Sequence, residues 1–143
     1  MIVASLLNTK GRDVFSIAPG ASVSDAARYL RDKGIGAALV LDQAGAAAGV
    51  FSERDLVNAI ADQGNTALSL TVGDLMTKDV VSCSPRDPIP TVMATMTERR
   101  VRHLPVIDGG KVVGVVSIGD VVKSRIAEAE TEAEALKAYI ASG

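Results

Sequence analysis

The chain has no tryptophan, two tyrosines, two phenylalanines, one histidine and one cysteine among 143 residues. Each scarcity closes off a class of function. The lone cysteine, Cys83, rules out a disulfide framework within the chain and makes a reducing, cytoplasmic address the expectation. It lies in an apolar run and reads as buried filler rather than a reactive thiol. One histidine and one cysteine, without a second ligand at useful spacing, leave no metal site to expect. A P-loop and a dinucleotide G-x-G-x-x-G are both missing. No catalytic constellation is visible, so the chain does not read as an enzyme and no catalytic cofactor is expected. Net charge is −2 and the pI near 5.3, which leaves no electrostatic footprint for nucleic acid or an anionic membrane. Long apolar runs are missing too. Ile2 to Leu7 is too short for a signal peptide and has no basic flank, and no stretch could span a bilayer.

What is abundant is aliphatic. Apolar residues make up 48% of the chain, mostly Val, Ile, Leu and Ala, a composition suited to strands covered by helices. The chain is also written twice. Ile17 to Val23 matches Cys83 to Ile89, an offset of 66 residues. The same offset carries Val23, Ala27 and Leu30 onto Ile89, Met93 and Met96, the i, i+4, i+7 stripe of a helix. It also carries Ala38–Asp42 onto Leu104–Asp108. After one deletion in the turn, Gly49-Val50-Phe51-Ser52 falls on Gly114-Val115-Val116-Ser117, and Asp55 on Asp120.

Each copy predicts the same elements. A short strand, Val14 to Ile17 or Val80 to Cys83, leads through Pro19 or Pro85 to a helix. Ser22 caps the first such helix and Asp87 the second. The helices run to about Lys33 and Arg99. Two strands follow, joined at Asp42-Gln43-Ala44-Gly45 or Asp108-Gly109-Gly110, and a last helix starts at Ser52 or Ser117. The expected fold is α/β: two β-α-β-β-α repeats packed with pseudo-two-fold symmetry, plus a long C-terminal helix. The expected organisation is repeat 1 over 1–63, a linker over 64–76 containing one helical turn at 72–76, repeat 2 over 77–127, and a helical extension over 128–143. A single copy of about 60 residues is marginal alone. Packing two creates paired clefts at the seam, where a ligand is expected.

Ser52-Glu53-Arg54-Asp55 and Ser117-Ile118-Gly119-Asp120 each open a helix directly after a strand. One reading is a capping box. The other uses the same geometry: a helix N-terminus offers N–H groups to a phosphate, and a carboxylate there can accept both hydroxyls of a ribose. Arg102-His103 could be a solvated Arg beside a packed His, or a phosphate clamp built from a planar fork and a further donor. The first copy has Gly36-Ala37 at that place and carries Arg54 where the second has Gly119. The clefts are therefore expected to differ, with Asp120, Arg102 and His103 holding phosphate best and Arg54 serving the other.

With both copies in order, the stretches Gly49–Leu56, Arg102–Asp108 and Gly114–Val121 resemble a tandem pair of cystathionine-β-synthase (CBS) domains, of the stand-alone bacterial type. The resemblance covers about Leu7 to Glu130. It implies a regulatory sensor of adenine nucleotides (AMP first, with ATP and NAD behind it), a homodimer, and an effector protein the sequence does not name. It also implies adenine slots that cross between repeats. For the Asp120 cleft the slot would be Lys10, Val14, Phe15, Ile35 and Gly36. For the Asp55 cleft it would be Thr77, Val80, Val81 and Val101. Apart from Lys10, Gly36 and Thr77, these residues would suit a core equally well. The rival reading is a structural or adaptor homodimer with degenerate clefts. The tail adds Val122, Ile126, Ala129, Ala133, Leu136 and Ile140 at a 3.5-residue period. It is either a long helix packed on its own module or a seam for a second subunit.

Overall fold

A computed structural model describes all 143 residues. Helix α1 (Val3–Lys10) precedes the first copy: β1 (Ser16–Ile17), α2 (Val23–Lys33), β2 (Ala37–Leu41), β3 (Ala47–Ser52) and α3 (Glu53–Gln63). A 3-10 helix (Gly64–Ser69) and the single turn α4 (Val72–Leu75) lead to the second copy: α5 (Ile89–Arg99), β4 (His103–Asp108), β5 (Lys111–Ser117) and α6 (Ile118–Ser142). In the first copy β1 runs parallel to β2, and β2 pairs antiparallel with β3. In the second, β4 and β5 form the hairpin. The expected strand before α5 shrinks to one parallel bridge, Cys83 to Val106. The Cys83 amide donates to the Pro105 carbonyl at 3.0 Å, and its carbonyl accepts from Ile107 at 2.8 Å.

Two aliphatic cores fill the halves, and each borrows from beyond its own copy. The second core gathers Cys83, Ile89, Val92, Met96, Leu104, Val106, Val116 and Val121 with Val3, Leu6 and Leu7 of α1. The first gathers Ile17, Val23, Ala26, Leu30, Ala38, Val40 and Phe51 with Val72 of α4. Thus each helical segment that precedes a copy packs on the other copy. The swap is fastened through the helix starts, where first-turn amides have no partner inside the helix. The Val23 amide of α2 donates to Leu70 O at 2.9 Å, and the Ile89 amide of α5 donates to Met1 O at 3.1 Å. The segment over 64–69 is therefore structured, with Ala67 fully buried.

Local chemistry explains most boundaries. Ser22 caps α2 by accepting from the Asp25 amide. Asp87 does not cap α5, contrary to the sequence expectation. Its carboxylate turns back to accept from the Ser84 amide at 2.9 Å, and Pro88 is the N-cap, without a side-chain cap bond. The buried stripes of α2 and α5 centre on Ala26 and Val92, while Ala27 and Met93 lie half-buried at the edge. α2 stops at Gly34 with φ +67°, and α5 stops the same way at Arg100 with φ +54°. There a side chain tolerates a left-handed backbone at some cost.

Cys83 is buried. Burial pushes its thiol up to about 11, and the Asp87 charge adds to this. The fold therefore favours the neutral thiol, a stabilisation present below the ordinary value of 9.0 and lost as pH rises toward 11. At pH 8, alkylation of the native protein is expected to run at least about a hundredfold slower than in urea, because both thiolate fraction and access fall. Equal rates in a timed iodoacetamide reaction followed by mass spectrometry would contradict this.

Candidate functional site

A cavity of about 620 Å³ opens at the seam between the copies. Matched positions of the two repeats meet in its wall: Leu39 with Pro105, Val50 with Val115, and Ala37 with His103. Such pairs place it across the pseudo-two-fold axis. Its polar end is the start of α6, where strand β5 gives way to helix and Ser117 and Asp120 enter the wall.

That helix start is a complete capping box. The Asp120 amide donates to Ser117 Oγ at 3.1 Å, and the Ser117 amide donates to Asp120 Oδ2 at 3.0 Å. Lys10, the last residue of the swapped α1, reaches the same Oδ2 with Nζ at 2.8 Å. It also donates to the Val115 carbonyl at 2.6 Å. Burial pushes the Asp120 carboxyl up. The Lys10 hydrogen bond, the Ser117 backbone and hydroxyl, and the Lys10 charge outweigh it and hold the carboxyl below its ordinary value. Asp120 thus contributes stability above the unfolded carboxyl value that is lost as pH falls through the folded one.

The equivalent box at the start of α3 has the same form. The Ser52 amide donates to Asp55 Oδ2 at 2.9 Å, and the Asp55 amide to Ser52 Oγ at 3.3 Å. Here the cross-repeat partner is Thr77, whose hydroxyl donates to Asp55 Oδ1 at 3.3 Å. The Thr77 backbone pairs with Val50 in both directions at 2.9 Å. The two acids are therefore matched in place but differ in partner, an ammonium for Asp120 and a hydroxyl for Asp55.

Of the residues singled out from sequence, the structure brings Lys10, Phe15, Ile35, Gly36, His103, Ser117 and Asp120 into one cavity wall. Val14 is half-buried and outside that wall. Arg102 is exposed and also outside it. The contact Arg102 makes is structural, its carbonyl accepting from the Ile118 amide at 2.8 Å, just as Gly36 O accepts from Glu53 at 2.9 Å. Around the other acid, Ser52 and Thr77 meet Asp55 directly, and Arg54 stands exposed on the first turn of α3. Val81 and Val101 pack against the second core, and Val80 is half-buried. Sequence reasoning missed Asp13 in the wall, and it missed the Lys10–Asp120 pair, having assigned Lys10 to the adenine slot.

The CBS domain family model matches residues 4–62 and 72–127, both copies in succession. The chain belongs to the CBS domain family. A crystal structure of a CBS-domain protein from Agrobacterium tumefaciens superposes with a TM-score of 0.78 at 45% identity, covering 87% of this chain and 92% of that one. A mitochondrial CBS domain-containing protein of Arabidopsis thaliana is 36% identical over 126 residues, 85% of this chain and 61% of the relative. The chain spans less than two thirds of the first curated relatives it matches. A CBS protein from Pyrobaculum aerophilum, solved with AMP, shares the fold at 24% identity and a TM-score of 0.71, over 84% of this chain and 89% of that one. A CBS pair solved with 5′-methylthioadenosine and S-adenosyl-L-methionine shares it at 22% and 0.74, over 90% of this chain and 98% of that one. Within this CBS pair, no helix is long and apolar enough to cross a membrane.

Proposed function

We infer that this CBS pair is a regulatory module that senses an adenine nucleotide, AMP before ATP or NAD, in the cytoplasmic nucleotide pool, and does no catalysis itself. The observation that carries the reading is the Asp120 cavity. Its volume falls in the range of small-ligand sites, roughly 300–1,000 Å³. Its wall joins an ionised carboxylate and a helix N-terminus to apolar surface from the other repeat. In this reading the Asp120 carboxylate takes the ribose hydroxyls, the α6 start and His103 face the phosphate, and Phe15 and Ile35 flank the base. Two distant relatives were solved with adenosine compounds, which supports the ligand class. Because the wall draws on both repeats, a bound nucleotide bridges them and favours one arrangement over others, the condition for signalling to an effector.

Val57 and Ile60 on α3 and Val122 and Ile126 on α6 are exposed apolar residues, with Val57 and Val122 matched by the repeat. They support a homodimer through these helices. From residue 129 onward α6 is exposed on every side, its seam residues Leu136 and Ile140 included. That exposed seam would also serve the second reading, an adaptor dimer, as its contact surface.

Calorimetric titration of the purified, ligand-stripped protein with AMP, ATP and NAD, with GMP as control, separates the two. Micromolar binding of one adenine ligand is expected, and Asp120→Ala should weaken it more than tenfold, since a lost bond to a charged group costs about 1.5–3 kcal/mol. Silence from all of them would leave the adaptor.

A further inference from the structure

The Asp120 cavity carries one permanent cation, Lys10, against two acids, Asp13 and Asp120. Remove the lysine and the wall is doubly negative, a poor place for any phosphate. The lysine also occupies one of the two carboxylate oxygens that a ribose diol would span. Asp120 Oδ2 already accepts from the Ser117 amide and from Lys10 Nζ, which fills its two lone pairs. A ribose that spans both carboxylate oxygens therefore displaces Lys10 from Oδ2. The displaced ammonium does not leave. Its second bond, to the Val115 carbonyl at 2.6 Å, keeps it in the wall, and its backbone is fixed by α1, which packs Leu6 and Leu7 in the second core.

Resting on the reading above, we propose that Lys10 is the specificity-determining residue of this cleft: it makes sugar binding conditional on an anionic group in the same ligand. A neutral nucleoside takes the carboxylate and leaves the ammonium without a counter-ion, held by the Val115 carbonyl alone. A nucleoside phosphate takes the carboxylate and gives the ammonium a new counter-ion, a charge-assisted bond of the stronger class. The Asp55 cleft carries no such condition, because its acid is held by the neutral Thr77 hydroxyl. The place around Asp55 thus lacks the feature that makes the Asp120 cleft selective for phosphorylated ligands.

The test is calorimetry with two probes, AMP and adenosine, on wild type, Lys10→Met, Lys10→Arg and Asp120→Ala. The Asp120→Ala isotherm supplies the contribution of the other cleft and is subtracted. Wild type should prefer AMP at the Asp120 cleft by at least about tenfold, the worth of one charge-assisted bond. Lys10→Met should lose about tenfold in AMP affinity while adenosine binds as well or better, so that the ratio collapses toward one. Lys10→Arg should keep the preference. Thermal melts of all variants confirm that the comparison is among folded proteins. A Lys10→Met ratio within twofold of wild type overturns the Lys10 proposal and leaves the nucleotide reading standing. AMP binding that is absent from wild type, or indifferent to Asp120→Ala, overturns both.

Discussion

Leu7→Ala is expected to destabilise the protein by about 3–4 kcal/mol, although Leu7 lies in α1, ahead of the first β-α-β-β-α unit. The side chain is 1% exposed and sits among Ile89, Val92, Leu104, Val116 and Val121. Truncation removes its transfer free energy and leaves a hole that α1, tied by the Val3 and Ala4 amides to Asp87 O and Pro85 O, cannot collapse to fill. Against a typical total of about 5–15 kcal/mol, that is a large share. The structure also says where relief comes from. A methyl group built on Gly114 would lie 2.8 Å from Leu7 Cδ2. Gly114→Ala added to Leu7→Ala should therefore recover part of the loss, about 1 kcal/mol or more, as a non-additive pair. Urea melts of the two single variants and the double variant measure this. Strict additivity would mean that α1 does not pack as described.

The matched glycine behaves differently. A methyl group on Gly49 would meet the Thr77 carbonyl oxygen at 2.7 Å and Met76 Sδ at 2.8 Å. Backbone cannot swing aside as a leucine tip can. Gly49→Ala must push the Thr77 segment off β3, opening the two Val50–Thr77 bonds and drawing the Thr77 hydroxyl from Asp55. The expected cost is about 2–3 kcal/mol, at the upper end for overpacking, against about 1 kcal/mol or less for Gly114→Ala alone. Equal costs in parallel melts would show that the two seams are alike, and that the asymmetry between the clefts is smaller than the geometry implies.

These two glycines show how far the sequence could be read. The repeat was legible because both copies solve one packing problem: strand alternation and a helix stripe need the same residue types at the same places, although the stripe read at i, i+4, i+7 proved to centre on i, i+3, i+7. Ser52, Asp55, Ser117 and Asp120 were legible because a capping box depends on four consecutive residues. The swap was not legible. α1 carries the short apolar set Val3, Leu6 and Leu7, which fits either core equally well, and only the geometry that brings Met1 O to the start of α5 decides. Asp87 misled for a related reason. It stands where a cap belongs, yet in the folded turn its carboxylate accepts from the Ser84 amide instead. The Lys10–Asp120 pair joins residues 110 apart in the chain. No local pattern encodes such a contact, and the matched acid, Asp55, takes its long-range partner from Thr77, which the repeat offset does not place opposite Lys10.

The most direct measurement is a crystal structure of the ligand-stripped protein soaked or grown with AMP. The account predicts AMP in the seam cavity, its ribose hydroxyls on Asp120, its phosphate within reach of Lys10 Nζ, and Lys10 moved off Oδ2. AMP seated only at Asp55, or at the Asp120 cleft with the Lys10–Asp120 pair intact and the ribose turned away, would contradict it.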